Sequence, residues 1–192
     1  MNSKVTNILL AGVGGQGTLL ASEVLAEALM LAGHDVKKSE IHGMSQRGGS
    51  VTSHVRFGAT VFSPLIPEGE ADFLFGFELL ETFRCLPMLR GGGAIIVNDV
   101  KVIPAPVAMG KEVYPADIPA KLAAACGDAK VVDGMELARR AGNLRTVNIA
   151  LVGVLARRLE LPAEAWRQAL ERQVPARFLD ENLKAFDLGL NC

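Results

Sequence analysis

The sequence predicts an α/β fold with a mainly parallel sheet and helices on both faces. Three observations carry that expectation. Residues 5–11, "VTNILLA", form a β-branched, leucine-rich run that stops at glycines and is followed by an alanine- and leucine-rich segment to about residue 32, which is strand, tight turn, helix. The stretches "DFLFGF" at 72–77 and "GAIIVN" at 93–98 are continuous apolar runs of strand length, as in strands covered on both faces. Such strands alternate with helical patterns, and parallel neighbours need crossover connections of that kind.

In the first helix Leu20, Val24, Ala28 and Leu31 recur at helical spacing and form a stripe that can lie on a sheet, with Gly33 as its closing residue. A second strand is expected over 34–40, and residues 41–49 form a glycine-rich loop. "SVTSHVRF" then alternates: Val51, Ser53, Val55 and Phe57 point one way, Thr52, His54 and Arg56 the other. The break at Gly58-Ala59-Thr60 before "VFSPL" reads as a hairpin turn. Beyond residue 105 short strands are expected near 111–114 and 129–132. Helices are expected over 118–126, 134–141, 145–160, 162–173 and near 180–186. The 145–160 helix is apolar around much of its circumference, which calls for burial against a second element or a second subunit and argues against a lone monomer.

At 192 residues the chain can form one domain, spanning 1–192, and bury roughly 70% of the surface of its unfolded form. Apolar residues at 49% and charged residues at 21% exclude the composition of a disordered chain. Twenty Lys plus Arg against 21 Asp plus Glu leave a formal charge of −1, so no overall basic field draws nucleic acid or an anionic membrane. Apolar stretches such as 149–156 fall far short of the ~20 residues that span a bilayer. The N-terminus lacks a signal-peptide cleavage pattern and reads as a first strand, so a cytoplasmic protein is expected.

Two motifs carry chemistry. "GVGGQG" satisfies GxGxxG at Gly12, Gly14 and Gly17, with Gly15 and Gln16 between, in the strand-to-helix context where free amides and the helix dipole favour an anion. A dinucleotide site would add an acid from the second strand, Glu40 or the nearer Asp35, which keeps a stand-alone NAD(P)-binding oxidoreductase as an alternative. A P-loop fails, because Thr18 and Leu19 stand where Lys and Ser or Thr belong. A tight turn that merely packs the helix onto the sheet is the plainer reading of the same glycines. The second motif is "HGMSQRGGS", in which Gly43, Gly48 and Gly49 permit close approach. Arg47 there offers a planar five-donor fork, and Ser45 and Gln46 add neutral donors. His42, His54 and Arg56 cluster with it in sequence. Both motifs belong at the carboxyl edge of the sheet, where such folds bind ligands, and are expected to line one crevice.

Other sites are poorly supported. Cys85, Cys126 and Cys192 lie far apart, without a CxxC or a paired histidine, which argues against a disulfide framework, a zinc site or an iron–sulfur site; Cys85 and Cys126 read as buried small hydrophobes. The histidines have no metal-like spacing with carboxylates, so no metal is expected. No GxSxG elbow appears, and no catalytic residue can be assigned.

Taken together, "LLAGVGGQGTLLASEVLAEAL" followed by "SEIHGMSQRGGSVTSHVRFG" resembles the gamma-type domain of 2-oxoacid:ferredoxin oxidoreductases, and within that family the beta subunits of the indolepyruvate enzymes. The resemblance implies a Rossmann-like domain that works with a larger subunit carrying thiamine diphosphate, Mg and [4Fe-4S] clusters. It implies oxidative decarboxylation of arylpyruvates (indolepyruvate, phenylpyruvate) with coenzyme A to arylacetyl-CoA, carbon dioxide and reduced ferredoxin, this chain being inactive alone and holding no cofactor. A gamma subunit for pyruvate or another 2-oxoacid is the sister alternative. On this reading His42, Gly43, Ser45, Gln46, Arg47, Gly48, Gly49 and His54, with the glycine turn, serve substrate, CoA or the subunit interface.

Overall fold

The sheet that positions everything else has six strands among the described residues. The computed structural model describes residues 5–42 and 49–192. In chain order the elements are β1 (Thr6–Val13), α1 (Thr18–Leu31), β2 (Asp35–His42), β3 (Ser50–Gly58), β4 (Ala71–Gly76), α2 (Leu79–Arg84), β5 (Leu89–Asn98), α3 (Ala105–Ala108), α4 (Ile118–Ala125), β6 (Ala129–Val132), α5 (Gly134–Ala141), α6 (Val147–Ala156), α7 (Ala163–Gln173) and α8 (Leu179–Leu190). Strand order is β2-β3-β1-β4-β5-β6. β1, β4, β5 and β6 pair in parallel. β3 runs antiparallel to both β1 and β2, so β2 has the direction of β1 and β3 alone is reversed. The expected mainly parallel α/β sheet is therefore present, with one reversed strand inserted between β1 and β2.

Period-two alternation divides the core. Ile8 and Leu10 of β1, Val55 and Phe57 of β3, and Ile96 of β5 face a layer built by α1, α5, α6, α7 and α8. Leu9, Ala11, Leu74, Ile95 and Val97 face α2 and α4 on the other side. Helices thus cover both faces, unequally.

α6 explains its all-round apolarity inside the chain. Every residue from Asn148 to Ala156 is buried, and the helix meets α8 at a pair of glycines. A Cβ on Gly153 would enter the Phe186 carbonyl, and one on Gly189 the Ala150 carbonyl, so the two backbones touch. The burial that the sequence assigned to a second element or a second subunit is supplied by the chain's own C-terminal helix.

Three local expectations are corrected. The break at residues 58–60 does not open a hairpin: residues 61–65 form no strand, and the connection crosses the sheet face instead. Residues 111–114 are irregular. They belong to a long excursion after β5 that buried Glu78 ties down, its carboxylate accepting from the amides of Glu81 at 2.8 Å and Val102 at 3.0 Å and from the Tyr114 hydroxyl at 3.1 Å. The helix expected over 145–160 is shorter, a 3-10 turn at Leu144–Thr146 leading into α6. Gly33 does close α1, with φ 87° one position past the cap. No helix among the described residues is long and apolar enough to cross a membrane.

Candidate functional site

The glycine turn leaves β1 at its carboxyl end and folds back on itself. The Gln16 amide donates to the Val13 carbonyl at 3.2 Å, and the Gln16 side chain accepts from the Val13 amide at 2.8 Å while donating to the Phe77 carbonyl at 3.2 Å. Gln16 therefore braces the turn against the end of β4. Gly17 caps α1 in the left-handed region, φ 76°, with no side-chain cap. Its carbonyl accepts from Asn148 Nδ2 at 3.2 Å, and Asn148 lies so close that a Cβ on Gly17 would fall 2.5 Å from that nitrogen. Ala21 is the first residue whose amide returns to the helix, to Gly17. The amides ahead of it have no helical acceptor.

Around the turn is a cleft of about 460 Å³, at the carboxyl ends of β1, β4 and β5. Gly15, Gln16 and Gly17 form one wall, Asn98 and Val100 another, and the starts of α5 and α6 (Met135, Arg145, Asn148) a third. The sheet reverses its winding between β1 and β4, so this is the crevice at the switch point where open α/β sheets bind ligands. The N-termini of α1, α5 and α6 converge on it; the helix dipoles of α1 and α6 favour an anion there, while Asp133 and Glu136 at the start of α5 offset that helix's dipole. Asn98 fixes the α5 start, its Oδ1 accepting from the Gly134 amide at 3.0 Å.

Arg145 supplies the charge. It lines the cleft and is exposed, and its guanidinium makes no ion pair or hydrogen bond among the described residues. Sequence reasoning missed it, because "NLRTVN" has no motif; the signal that could have found it is a cation one turn ahead of a buried apolar helix. Two buried oxygens beside the cleft, Thr18 Oγ1 and Asn148 Oδ1, also lack a partner among the described residues. Buried polar atoms are rarely left so. The free amides, the Thr18 hydroxyl and Arg145 are donors that suit an extended anion such as a phosphate-bearing ligand, whereas Asn148 Oδ1 can only accept.

Of the second motif, Gly43, Ser45, Gln46, Arg47 and Gly48 lie outside the described residues. Its two ends are placed. His42 ends β2 opposite Val51, and the Gly49 carbonyl accepts from the Gly14 amide at 2.9 Å. The reversal of β3 brings Gly49, the loop's exit, to the glycine turn.

His54 does not join them. It lies four residues down β3, opposite Leu9, is 6% exposed, and its Nδ1 accepts from the Ile66 amide at 3.1 Å. Burial and the nearby Arg56 charge hold its pKa below the ordinary histidine value. Arg56 is likewise engaged, with Asn7 and with the carbonyls of Ser63 and Leu65. The polar face of β3 anchors a crossing segment and leaves the cleft alone.

The dinucleotide alternative loses its acid on topology. β3 separates β2 from β1, which sets Glu40 roughly 10 Å aside. Glu40 is ion-paired with Lys38 at 2.9 Å. Asp35 sits at the opposite end of β2, bonded to Lys37 and to the Val61 amide. The cysteines are dispersed: Cys126 is buried with its thiol on the Gly93 carbonyl, and burial pushes the half-buried Cys85 thiol up to about 11. Among the described residues no three His, Cys, Asp or Glu side chains gather, and three cysteines cannot supply the four thiolates of an iron–sulfur cluster.

The family model described as pyruvate ferredoxin/flavodoxin oxidoreductase matches residues 7–192. The chain belongs to that family. It is 40% identical to indolepyruvate oxidoreductase subunit IorB of Pyrococcus horikoshii over 192 aligned residues, covering 97% of this chain and 95% of the relative. It is 27% identical to the pyruvate/ketoisovalerate oxidoreductases common subunit gamma of Thermococcus kodakarensis, over 94% and 92% of the two chains. The crystal structure of a keto/oxoacid ferredoxin oxidoreductase gamma subunit from Geobacter sulfurreducens shares the fold, with TM-score 0.71, 23% identity and coverage of 97% and 96%. These relatives are subunits of oxidoreductases by name, and the family supports a subunit role in an oxidoreductase for this chain.

Proposed function

We propose that the chain is the cluster-free subunit of a 2-oxoacid:ferredoxin oxidoreductase that decarboxylates arylpyruvates oxidatively with coenzyme A, giving arylacetyl-CoA, carbon dioxide and reduced ferredoxin. The observation that carries the reading is the 40% identity to an indolepyruvate oxidoreductase subunit over nearly both full lengths, against 27% to a pyruvate-type gamma subunit. In this proposal the larger subunit holds thiamine diphosphate, Mg and the [4Fe-4S] clusters, ferredoxin accepts electrons from the assembled complex, and the whole is cytoplasmic. Bound there, the thiamine group supplies carbanion stabilisation and the clusters carry the electrons away.

This chain's part is to receive and orient coenzyme A. Free amides at the start of α1 and the guanidinium of Arg145 meet phosphate oxygens, while Gln16, Asn98 and Asn148 hold the walls in place. The 42–49 loop, entering at the same edge, adds Arg47 as a carboxylate or phosphate contact and covers the cleft against the partner. A charge-assisted arginine contact contributes about 1.5–3 kcal/mol, or roughly tenfold to a hundredfold in affinity. Arg145→Ala and Arg47→Ala in the assembled enzyme are accordingly expected to raise the KM for coenzyme A by that factor, with the KM for indolepyruvate unmoved by Arg145→Ala. Unchanged constants and turnover in both variants reject the assignment, and preferred turnover of pyruvate would move the chain to the gamma subunits of the other 2-oxoacid enzymes.

A further inference from the structure

The connection between β3 and β4 spends an unusual amount of bonding on a segment that adds little to the core. Only its ends are buried, Val61 at 3% and Ile66 at 4% exposed. Between them Phe62 is 94% exposed and Leu65 51%. Yet the backbone here is held at four points by side chains rooted in the sheet. Asp35 Oδ2 accepts from the Val61 amide at 2.8 Å, Arg56 Nη1 donates to the carbonyls of Ser63 and Leu65 at 2.9 Å each, and His54 Nδ1 accepts from the Ile66 amide at 3.1 Å. Arg56 is itself oriented by Asn7 Oδ1 at 2.8 Å. An aromatic ring in water on a free loop would cost little and mean little. A ring in water on a backbone bracketed this way is presented.

We propose that residues 61–66 are a preorganised docking knob, with Phe62 as the anchor that enters an apolar, basic-rimmed pocket on the larger subunit of the oxidoreductase. The proposal rests on the subunit reading above. Buried aromatic anchors dominate binding energy at interfaces, and a segment already fixed in its bound shape loses less entropy on docking. The same connection carries Glu68 and Glu70, both exposed and without an ion pair among the described residues. Asp35 is matched by Lys37, and Asp72 by Arg90. Arg56, held on neutral acceptors, is the one unmatched cation against the Glu68 and Glu70 carboxylates, so the unmatched charge at the knob is net negative among the described residues, which fits a cationic rim on a protein and disfavours an anionic lipid surface. The knob leaves from the Gly58 end of β3, at the edge of the sheet opposite the glycine turn. Seven residues of strand put the two edges about 20 Å apart, so docking here leaves the cleft open to ligand.

The test uses the full chain and the separately produced larger subunit under anaerobic conditions, with the dissociation constant measured for the unaltered pair, for Phe62→Ser and for Glu68→Lys/Glu70→Lys. Phe62→Ser is expected to weaken association about 30-fold or more with the chain's own melting unchanged. The charge reversal is expected to slow association most at low salt. Equal affinity of Phe62→Ser and the unaltered chain, with both folded, overturns the knob. So does loss of self-association alone, which would make a second copy the occupant, or loss of binding to neutral vesicles alone, which would make it a membrane. If the unaltered chain does not bind the larger subunit at all, the subunit reading falls and the knob with it; that outcome is distinguished by the wild-type measurement.

Discussion

Replacing Gly17 by alanine separates two costs that meet at the cleft. The residue sits at φ 76°, and a left-handed backbone costs an L-residue about 1–2 kcal/mol. Its new methyl would also stand 2.5 Å from Asn148 Nδ2 and 3.0 Å from Cγ, displacing a buried side chain that is 5% exposed. The Asn148 bond to the Gly17 carbonyl, net about 0.5–1.5 kcal/mol, goes with it, and leaving the buried amide unpaired costs about 1–3 kcal/mol more. Together these ranges come to roughly 2.5–6.5 kcal/mol. Gly15→Ala is the control, since its φ is 99° and nothing lies within 4 Å of its Cβ, so only the backbone cost of about 1–2 kcal/mol applies. Urea unfolding followed by the single tryptophan, Trp166, buried against Phe186 between α7 and α8, reads both variants. Combining Gly17→Ala with Asn148→Ala should recover the steric part and return the loss toward that of Gly15→Ala. If Gly17→Ala is no worse than Gly15→Ala, Asn148 does not pack on the turn and the described cleft wall is wrong.

Three further outcomes follow from the same geometry. Gly189→Ala places a methyl inside the Ala150 carbonyl, so α6 and α8 must separate, and the melting temperature should fall by an amount equivalent to about 3 kcal/mol or more. Burial and Arg56 lower the folded pKa of His54 below 6.5, so the unfolded chain takes up a proton first as pH falls. That part of the stability is intact above pH 6.5, declines below it until the folded pKa is passed, and should disappear from the pH profile of His54→Leu. Glu78→Ala leaves the Glu81 and Val102 amides and the Tyr114 hydroxyl without their acceptor, and should cost about 2–3 kcal/mol by calorimetry.

Local patterns announced much of the fold. β1, its glycine turn and α1 appeared within a residue or two, because a strand-length apolar run, a cluster of glycines and a helical stripe are all written within 30 residues. β4 and β5 were visible as continuous apolar runs, the mark of coverage on both sides. Pairing was not visible. Nothing in "SVTSHVRF" says that it inserts between β1 and β2, since its register with β1 is set by contacts 37 to 51 residues away. The alternation of β3 gave the polar face correctly but not what covers it, so His54 and Arg56 read as chemistry where they anchor residues 61–66. α2 and α3 are too short to show a period. The apolarity of α6 was legible, and its partner α8 was hidden because two glycines, Gly153 and Gly189, make the contact. Arg145 escaped for the same reason that β3 did: only tertiary structure brings the start of α6 to the end of β1.

The most direct test of the central claim is reconstitution. The chain and the larger subunit are purified separately, mixed anaerobically, and assayed for ferredoxin reduction dependent on both indolepyruvate and coenzyme A. The account predicts that neither chain turns over alone and that the mixture does, with arylacetyl-CoA as product. Full activity of the larger subunit without this chain, or a stable complex that ignores arylpyruvates, would contradict it.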